Sequence, residues 1–417
     1  MGEAVKISPL DTARLAAVVL TPPIAQGVLR RRPRVVAAMR TLDADRRAVL
    51  LLRDLRDKYG TGPLVAGTQL RPLAVPLSAH DVVRVLDGAP EPFSLAPAEK
   101  RGALAHFQPH GLLLSRGGTR ETRRQFTESV LDTDHDEHRL TADFTRTIDE
   151  EAAFLTERDH MNWPIFADTW WRIVRRITLG DAARDDRSLI GILNRLRSHA
   201  NWSYFHPRHD SLLTRFQSRV THYLDRAEPG SLAAEASQCA TVNDIRPVDQ
   251  IAHWLFAFEA AGITAYRALA VLAGDAAAAD DRHIRASVLE TVRLWPTTPL
   301  ILRESTTVTT WDKNTTVPAK TLFLIHSAFI NRDPATLGTA ADRFTPDLWQ
   351  DPPFLVPFSA GPGRCPGEPL VLLTVSTLLA VLLSRSRFQP SPQPDIATPL
   401  PFTFDHFELT FAIGDKS

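Results

Sequence analysis

Near its carboxyl end the chain carries the stretch that decides its fold, Phe358-Ser359-Ala360-Gly361-Pro362-Gly363-Arg364-Cys365-Pro366-Gly367. Proline suits the first position of a helix, because its missing N–H costs nothing there, so Pro366 predicts a helix that begins beside Cys365. The dipole and the free amides of such a helix end favour the thiolate form of a cysteine. A buried thiolate needs a positive partner, and iron is the natural one. The stretch therefore predicts Cys365 as a ligand of an iron.

The residues around Cys365 support the same prediction. Glycine at positions 361, 363 and 367 would let the backbone approach a flat, bulky ligand closely, and Phe358 could cover the sulfur from water. The alternative is that Cys365 is an ordinary buried cysteine, as most free cysteines are. That alternative is our interpretation of Cys239, which has no comparable surroundings.

Composition excludes several classes of protein. The chain has 417 residues, which one large enzyme core can hold, and we expect a single domain over residues 1–417. Its 48 basic and 48 acidic residues balance, which gives no electrostatic case for a nucleic-acid partner. Two cysteines build no disulfide framework, and the early apolar run Leu15–Leu20 is too short to cross a bilayer. We expect a soluble, cytoplasmic protein with no membrane partner.

Periodicity predicts a mainly helical chain with a small β region. The apolar stretches Gly62–Ala66 and Arg71–Pro76 lie between turn residues and predict a small sheet near the start. Residues 80–285 have mainly helical periodicity. Within them Val248–Ala273 is apolar on all sides, as expected of a helix inside a large protein. Gly262 costs that helix about 1 kcal/mol relative to alanine, which predicts close packing or a ligand against the backbone.

The last third of the chain alternates between short segments, and no internal repeat or linker divides it. The segments expected there are a helix over Arg282–Trp295, β-like runs over Leu300–Thr310 and Thr315–Leu324, an irregular passage over Asn331–Pro357, and a helix from Pro366 through Leu383.

The cysteine stretch resembles the haem-binding signature of the cytochrome P450 family, Phe-x-x-Gly-x-basic-x-Cys-x-Gly. The residues that match the signature in spacing are Phe358, Gly361, Cys365 and Gly367. The resemblance implies the mainly α fold of that family, with haem b between a long central helix and the cysteine loop. Gly363 stands where the family has its basic residue, and the arginine has moved one position on. Arg364 is therefore the candidate for a contact with a haem propionate.

A Glu-x-x-Arg pair provides a second match. Glu290 and Arg293 are three residues apart and share one helical face, although a solvated pair of this kind adds only a few tenths of a kcal/mol. In the family the pair is buried and joins an arginine of a Pro-x-Arg-Phe segment, which residues 341–344 resemble with Ala341 in place of the proline. The resemblance implies a structural triad of Glu290, Arg293 and Arg343, in which the loss of one member would strand a charge.

Three further arginines match positions that bind the haem propionates in the family. Arg303 lies on the first β-like run after the Glu-x-x-Arg helix, and a guanidinium suits the task because it meets a carboxylate bidentately. Residues 116–124 resemble the family's Asp-Gly-Pro-Glu-His-x-x-x-Arg. In that register Arg124 matches the propionate arginine and Arg120 replaces the histidine. For the other arginines of this segment, a solvated basic helix face is the alternative.

The long apolar helix resembles the family's central helix, whose Ala/Gly-Gly-x-Asp/Glu-Thr motif helps to deliver protons during oxygen activation. Two registers are possible. If Ala261 and Gly262 are the small pair, Thr264 takes the acid position. If Ala260 and Ala261 are the pair, Thr264 keeps the alcohol and Ile263 replaces the acid. We prefer the second register, because residues 268–270 then fall into the family's downstream spacing.

Either register leaves the acid out of its usual place, since isoleucine carries no proton. Delivery would then use ordered water, a substrate group or Glu259, which lies four residues before Ile263 on the same helical face. We therefore take Thr264 and Glu259 as candidate catalytic residues, and Ala261 as a haem contact. A threonine that bonds back to its own helix is the alternative for Thr264.

The resemblance implies a haem-thiolate monooxygenase that inserts one oxygen atom from dioxygen into a small organic substrate, in specialised metabolism. A ferredoxin and a ferredoxin reductase would supply the electrons, because the chain has no flavin or nicotinamide signature. The missing acid favours an alternative with the same cofactor: oxidative coupling, desaturation or peroxide-driven oxidation. A cofactor-free helical binding protein is the more distant alternative.

Overall fold

The computed structural model describes residues 6–415, apart from 68–70, 204, 241–242, 274, 276, 278–279 and 312–314. Its α-helices are α1 Pro9–Leu15, α2 Thr21–Gln26, α3 Pro33–Thr41, α4 Ala44–Tyr59, α5 Ala79–Asp87, α6 Ala98–Leu104, α7 Gly117–Leu131, α8 Thr141–Thr156, α9 Trp163–Leu179, α10 Arg187–Ala200, α11 Asp210–Arg226, α12 Leu232–Cys239, α13 Pro247–Leu272, α14 Asp281–Leu294, α15 Ser327–Asn331, α16 Pro334–Leu337 and α17 Glu368–Arg385. A π-helical turn, Ala16–Leu20, joins α1 to α2. Helix dominates the described chain, as the periodicity predicts.

The strands form three small sheets. They are β1 Leu64–Gly67, β2 Pro72–Val75, β3 Phe93–Ser94, β4 His160–Asn162, β5 Leu300–Ser305, β6 Thr309–Trp311, β7 Thr315–Val317, β8 Leu322–His326, β9 Ser386–Ser391 and β10 Thr410–Asp415. The largest sheet has the order β1-β2-β8-β5-β3, so the sheet predicted near the start is completed by strands from the last third of the chain. Burial alternates along β5, which turns Ile301, Arg303 and Ser305 to the interior.

Helix α13 runs through the larger of the two main hydrophobic cores and packs against α9, α14 and α17. A proline at its first turn fits the start of a helix. Helices α13 and α17 are both long and apolar enough to cross a membrane by length and composition alone. Since each packs against several other helices of the described chain, both are core helices of this fold.

The glycine in the middle of α13 is explained by close packing. A Cβ at Gly262 would lie 2.5 Å from Nε1 of Trp170, which is on α9. The same indole nitrogen donates a 2.8 Å hydrogen bond to the carbonyl oxygen of Phe258, one turn earlier on α13. The glycine therefore lets a buried tryptophan reach the helix backbone, which is the first of the two explanations expected from the sequence.

One helix boundary differs from the prediction. Helix α17 begins at Glu368 with Gly367 as its N-cap, so Pro366 is not its first residue. Cys365 consequently lies three residues before the helix, at the end of a loop that includes the 3-10 turn Gly361–Gly363. Proline at 369 already occupies the first turn, and the Pro366-Gly367 pair forms a turn instead.

Candidate active site

Backbone amides and burial set the chemistry of the Cys365 thiol. The amide of Cys365 donates to the carbonyl oxygen of Phe358 at 2.9 Å, which closes the loop. Burial raises the pKa of the thiol to about 11, although the amide of Gly367 and the guanidinium groups of Arg124 and Arg364 act in the opposite direction. The protein alone therefore keeps the sulfur protonated at neutral pH. A bound metal cation would supply the missing positive charge.

Two of the three glycines in the loop leave room for neighbouring protein groups. Gly361 has a φ of +60°, and a Cβ there would lie 2.5 Å from the carbonyl oxygen of Leu86. A Cβ at Gly363 would collide with the guanidinium of Arg303 and with the side chain of Leu95. At Gly367 the nearest atom, Cδ1 of Leu131, would be 3.7 Å away, an ordinary contact. Close packing against neighbouring residues therefore accounts for the glycines at 361 and 363, and the approach of a flat ligand to the loop backbone stays a prediction.

Arg303 occupies the volume of the basic residue that the loop lacks. Its guanidinium reaches across from β5, donates to Oγ of Ser359 at 3.2 Å, and lies where a side chain at Gly363 would begin. Arg364 instead makes a bidentate ion pair with Glu368 at 2.7 and 2.8 Å, and its side chain is 63% exposed. The structure therefore assigns the cationic position of the loop to Arg303 and does not support Arg364 as a propionate ligand.

Arg120 and Arg303 form a pair of buried cations beside the loop. Nη2 of Arg120 donates to the carbonyl oxygen of Pro362 at 2.8 Å. Burial, and then the charge of Arg120, lower the pKa of Arg303 to about 10. Neither guanidinium has a carboxylate within salt-bridge distance in the described part of the chain. Arg124 differs, because it pairs with Glu128 and donates to the carbonyl oxygen of Arg364 at 2.8 Å.

The Glu290–Arg293 pair is fully buried, as the resemblance implied. Arg293 donates to both carboxylate oxygens of Glu290, at 2.6 and 2.7 Å, and neither side chain has exposed surface. Its remaining N–H groups donate to the backbone carbonyls of Asn331, Ala340, Ala341 and Arg343. The pair therefore ties α14 to the irregular passage that precedes the cysteine loop.

Arg343 does not complete the triad with its side chain, and that prediction was wrong. Its exposed guanidinium donates to the carbonyl oxygen of Ala397, and only its backbone carbonyl meets Arg293. The carboxylate of Glu290 is instead completed by the amide of Thr345 at 2.8 Å and by Nε1 of Trp349 at 3.1 Å. Sequence reasoning missed Trp349, because a tryptophan in an irregular segment gives no signal of a distant carboxylate.

The packing of α13 favours the register in which Thr264 is the alcohol. Gly262 faces Trp170, so it is not one of the small residues that would face a cofactor. Ala260 and Thr264 point about 200° away from Gly262 around the helix, at 100° per residue. Thr264 is buried, and its hydroxyl makes no hydrogen bond to the described part of the chain. By contrast, the buried helical residues Thr127, Thr291 and Thr374 each bond back four residues.

The carboxylate of Glu259 is held by two arginines. It pairs with Arg197 of α10, which is almost fully buried, and lies 3.8 Å from the guanidinium of Arg30. Arg197 also donates from Nε to the carbonyl oxygen of Leu29 at 2.9 Å. These contacts join α13 to α10 and to the amino-terminal segment. Sequence reasoning missed Arg197, because the two residues are 62 positions apart and on different helices.

Comparison with known proteins gives partial sequence matches and a nearly complete structural match. Residues 283–409 match the sequence model of the family described as cytochrome P450. Cytochrome P450 71A18 of Arabidopsis thaliana is 33% identical over 129 residues, which cover 28% of this chain and 26% of that protein. Cytochrome P450 71D8 of Glycine max is 32% identical over 143 residues, covering 32% and 27%. The matched part of the chain thus spans about a quarter of these relatives' length.

The structural match extends over most of the chain. The retinoic acid-bound cyanobacterial CYP120A1 has a TM-score of 0.68 and 14% sequence identity, and the alignment covers 87% of this chain and 94% of that one. At this identity the similarity shows the fold alone. It confirms the predicted fold class, a mainly helical protein with small sheets.

Haem fits the residues of the site. Cys365 offers a sulfur that a bound cation would convert to the thiolate, and Arg120 and Arg303 offer two buried guanidinium groups without carboxylate partners in the described chain. A haem carries an iron and two propionates, so it would satisfy both requirements. The chain is thus similar to cytochrome P450 proteins in residues 283–409 and in its fold, and the residues of the site fit haem as a cofactor.

Proposed function

We propose that the protein is a haem-thiolate monooxygenase acting on a small organic substrate in specialised metabolism. When bound, haem supplies the activation of dioxygen, from which one oxygen atom is inserted into the substrate. The observation that supports the proposal best is that Arg120 and Arg303, two buried cations without carboxylate partners in the described chain, both donate hydrogen bonds to the loop that carries Cys365. Cys365 would hold the iron, and the two arginines would hold the propionates.

Thr264 would position a proton donor on the opposite side of the haem. Its hydroxyl has no partner on its own helix and shares the face of α13 that carries Ala260. It can therefore hold water at the reacting end of a substrate. Because Ile263 takes the usual acid position, the proton would come through water or from a substrate group.

For Glu259 the contacts support a structural role. The carboxylate pairs with Arg197 and lies near Arg30, and these contacts hold it toward α10. We propose that it fastens α10 to α13, in preference to the proton-donor role considered from the sequence.

Electrons would come from a ferredoxin and a ferredoxin reductase, and the protein would act in the cytoplasm without a membrane partner. Both cysteines are free thiols, which fits a reducing compartment. The two helices that are long enough to cross a membrane pack into the core, which supports a soluble protein.

One observation favours a second chemistry. Ile263 at the acid position removes a proton donor on which oxygen insertion ordinarily relies, which would suit oxidative coupling, desaturation or peroxide-driven oxidation. The two functions differ in whether the product gains an atom from dioxygen.

The test begins with a compound library screened for a spin-state shift of the haem-loaded protein. A compound that shifts the spectrum is then turned over with a ferredoxin system under ¹⁸O-labelled dioxygen. Monooxygenation predicts one labelled oxygen atom in the product. A coupled or desaturated product without label, or turnover that needs only hydrogen peroxide, would replace the first proposal by the second.

A further inference from the structure

Beyond the two arginines already assigned, the site contains a third cation without a carboxylate partner. Lys100 on α6 donates from Nζ to the carbonyl oxygen of Leu95 at 2.9 Å, and no carboxylate of the described chain lies within salt-bridge distance. Burial, and then the nearby charge of Arg303, lower the pKa of Lys100 to about 7. An ammonium group without a carboxylate partner in these surroundings would be stabilised by a bound anion.

The charge of Lys100 also acts on a histidine of the central helix. His253 lies on α13, and its Nδ1 is buried with no hydrogen-bond partner in the described chain. Burial, and then the charge of Lys100, lower the pKa of His253 to about 4. The carbonyl that accepts from Lys100 belongs to Leu95, whose side chain borders Gly363 together with the guanidinium of Arg303, so Lys100 lies near the cysteine loop.

His253 shares a helical face with Thr264. Residues 253, 257, 260 and 264 are spaced four, three and four apart, which places them on one side of α13. Three of them, His253, Ala257 and Ala260, are partly exposed, although α13 runs through the core. This face of the helix is therefore not fully covered by the described part of the protein.

The wall beside His253 is aromatic. The ring of His253 lies 5.9 Å from that of Phe256, which lies 5.4 Å from the ring of Phe107. The surroundings of His253 and Lys100 therefore combine aromatic side chains with an ammonium group and an imidazole whose Nδ1 has no partner in the described chain, which suits a ligand with an apolar body and one anionic group.

We propose that Lys100, with His253 as a second hydrogen-bonding group, binds a carboxylate of the substrate, and that the substrate is therefore an apolar carboxylic acid. Haem brings two carboxylates, and Arg120 and Arg303 suffice for them, so Lys100 is left for a third. Thr264 follows His253 by eleven positions, so the two residues lie about 16 Å apart along the helix at 1.5 Å per residue. An acid anchored at Lys100 is thus oxidised far from its carboxylate. This inference rests on the proposed haem-thiolate function.

The test uses ω-(imidazol-1-yl)alkanoic acids of increasing chain length and their primary amides. The imidazole binds the haem iron and shifts the Soret band, so affinity is measured without turnover, and chain length measures the distance to the lysine. At the length that reaches Lys100, the acid should bind at least about tenfold more tightly than its amide, because a charge-assisted hydrogen bond is lost with the amide. Lys100→Met should remove that preference and leave amide binding unchanged. Lys320→Met, at an exposed lysine, should keep the preference.

Equal affinity for acids and amides at every length would overturn the inference, and so would an acid preference that persists in Lys100→Met. Faster loss of haem from Lys100→Met than from the native protein would also overturn it, because Lys100 would then serve a propionate. Unsubstituted imidazole is the control for the proposed function. If it produced no Soret shift even in the native protein, the haem-thiolate proposal would fail instead.

Discussion

Two buried arginines, Arg293 and Arg303, differ in how completely the protein satisfies their hydrogen-bond donors. Arg293 has no exposed surface, and Glu290 and four backbone carbonyls accept hydrogen bonds from its guanidinium. Arg303 is 2% exposed and donates to one carbonyl and one hydroxyl, while its Nε has no partner in the described chain. The guanidinium of Arg293 is therefore satisfied without a ligand, whereas that of Arg303 would be satisfied only by a bound anion.

The comparison separates structural charges from binding charges by a physical criterion. A buried charge costs several kcal/mol unless it is paired, so a protein retains an unpaired one only where something else pairs it. On this criterion Glu290 and Arg293 stabilise the fold, whereas Arg120 and Arg303 stabilise the bound cofactor.

The largest effect is expected when the buried Glu290–Arg293 pair is broken. Glu290→Ala leaves Arg293 as an uncompensated buried charge and should lower the free energy of unfolding by about 3–5 kcal/mol. Little folded, haem-loaded protein should then be recovered, which urea unfolding and haem content can measure. Arg343→Ala is the matched control, because its exposed guanidinium takes no part in the pair. It should change stability by less than about 0.5 kcal/mol. Equal losses in the two variants would contradict the observed arrangement.

Removing an unpaired cation should weaken cofactor binding without lowering the stability of the fold. Arg303→Leu removes a charge that is buried beside Arg120, so the haem-free protein should be at least as stable as the native protein. Haem affinity should fall about 10–100-fold, since a charge-assisted contact with a propionate is lost. The rate of haem transfer to apomyoglobin measures the second effect. A variant that unfolds like Glu290→Ala and keeps its haem affinity would reverse the roles assigned here.

A smaller effect is expected at the centre of α13. Gly262→Ala would gain about 1 kcal/mol of helix propensity but would force the Trp170 ring away, which costs about 1–3 kcal/mol and the bond to Phe258. Packing should prevail, and thermal unfolding should occur at a lower temperature. Gly191→Ala, on the exposed face of α10 with open space around it, should stabilise the protein slightly. The same sign in both variants would show that Trp170 does not depend on the glycine.

The smallest effect on stability is expected at Thr264. Its hydroxyl has no hydrogen-bond partner in the described chain, so Thr264→Ala should change the free energy of unfolding by less than about 1 kcal/mol. It should nevertheless divert electrons into hydrogen peroxide and lower the product formed per electron, because a positioned donor acts after binding. Glu259→Gln should show the opposite behaviour, with lower stability and unchanged coupling. Unchanged coupling in Thr264→Ala would favour the other register of the helix.

The parts of the site that could be predicted from the sequence are those whose spacing is local. Cys365 and its loop, the Glu290–Arg293 pair and the long helix around Thr264 all follow from positions within one segment. Partners from other segments could not be predicted, because spacing carries no information about them: Trp349 on Glu290, Arg197 on Glu259 and Trp170 on Gly262.

At Gly363 the sequence shows that the loop lacks its basic residue, but it does not show which residue supplies the charge. A glycine in the loop's basic position implies that another group supplies the charge. The adjacent Arg364 was the obvious candidate by sequence, but Glu368 lies four residues later, within reach on the same side of the turn, and pairs with it. Arg303, 60 residues earlier on a buried strand, fills the vacated volume. The substitution and its compensation are therefore visible only in three dimensions.

The assignment of Cys365 as the thiolate ligand is the claim on which the rest depends, and the spectrum of the reduced, carbon monoxide-bound protein tests it most directly. The native protein and Cys239→Ala should both show the red-shifted Soret band of a thiolate-ligated haem, and Cys365→Ala should lack it. A band that survives in Cys365→Ala, or that disappears in Cys239→Ala, would contradict the account.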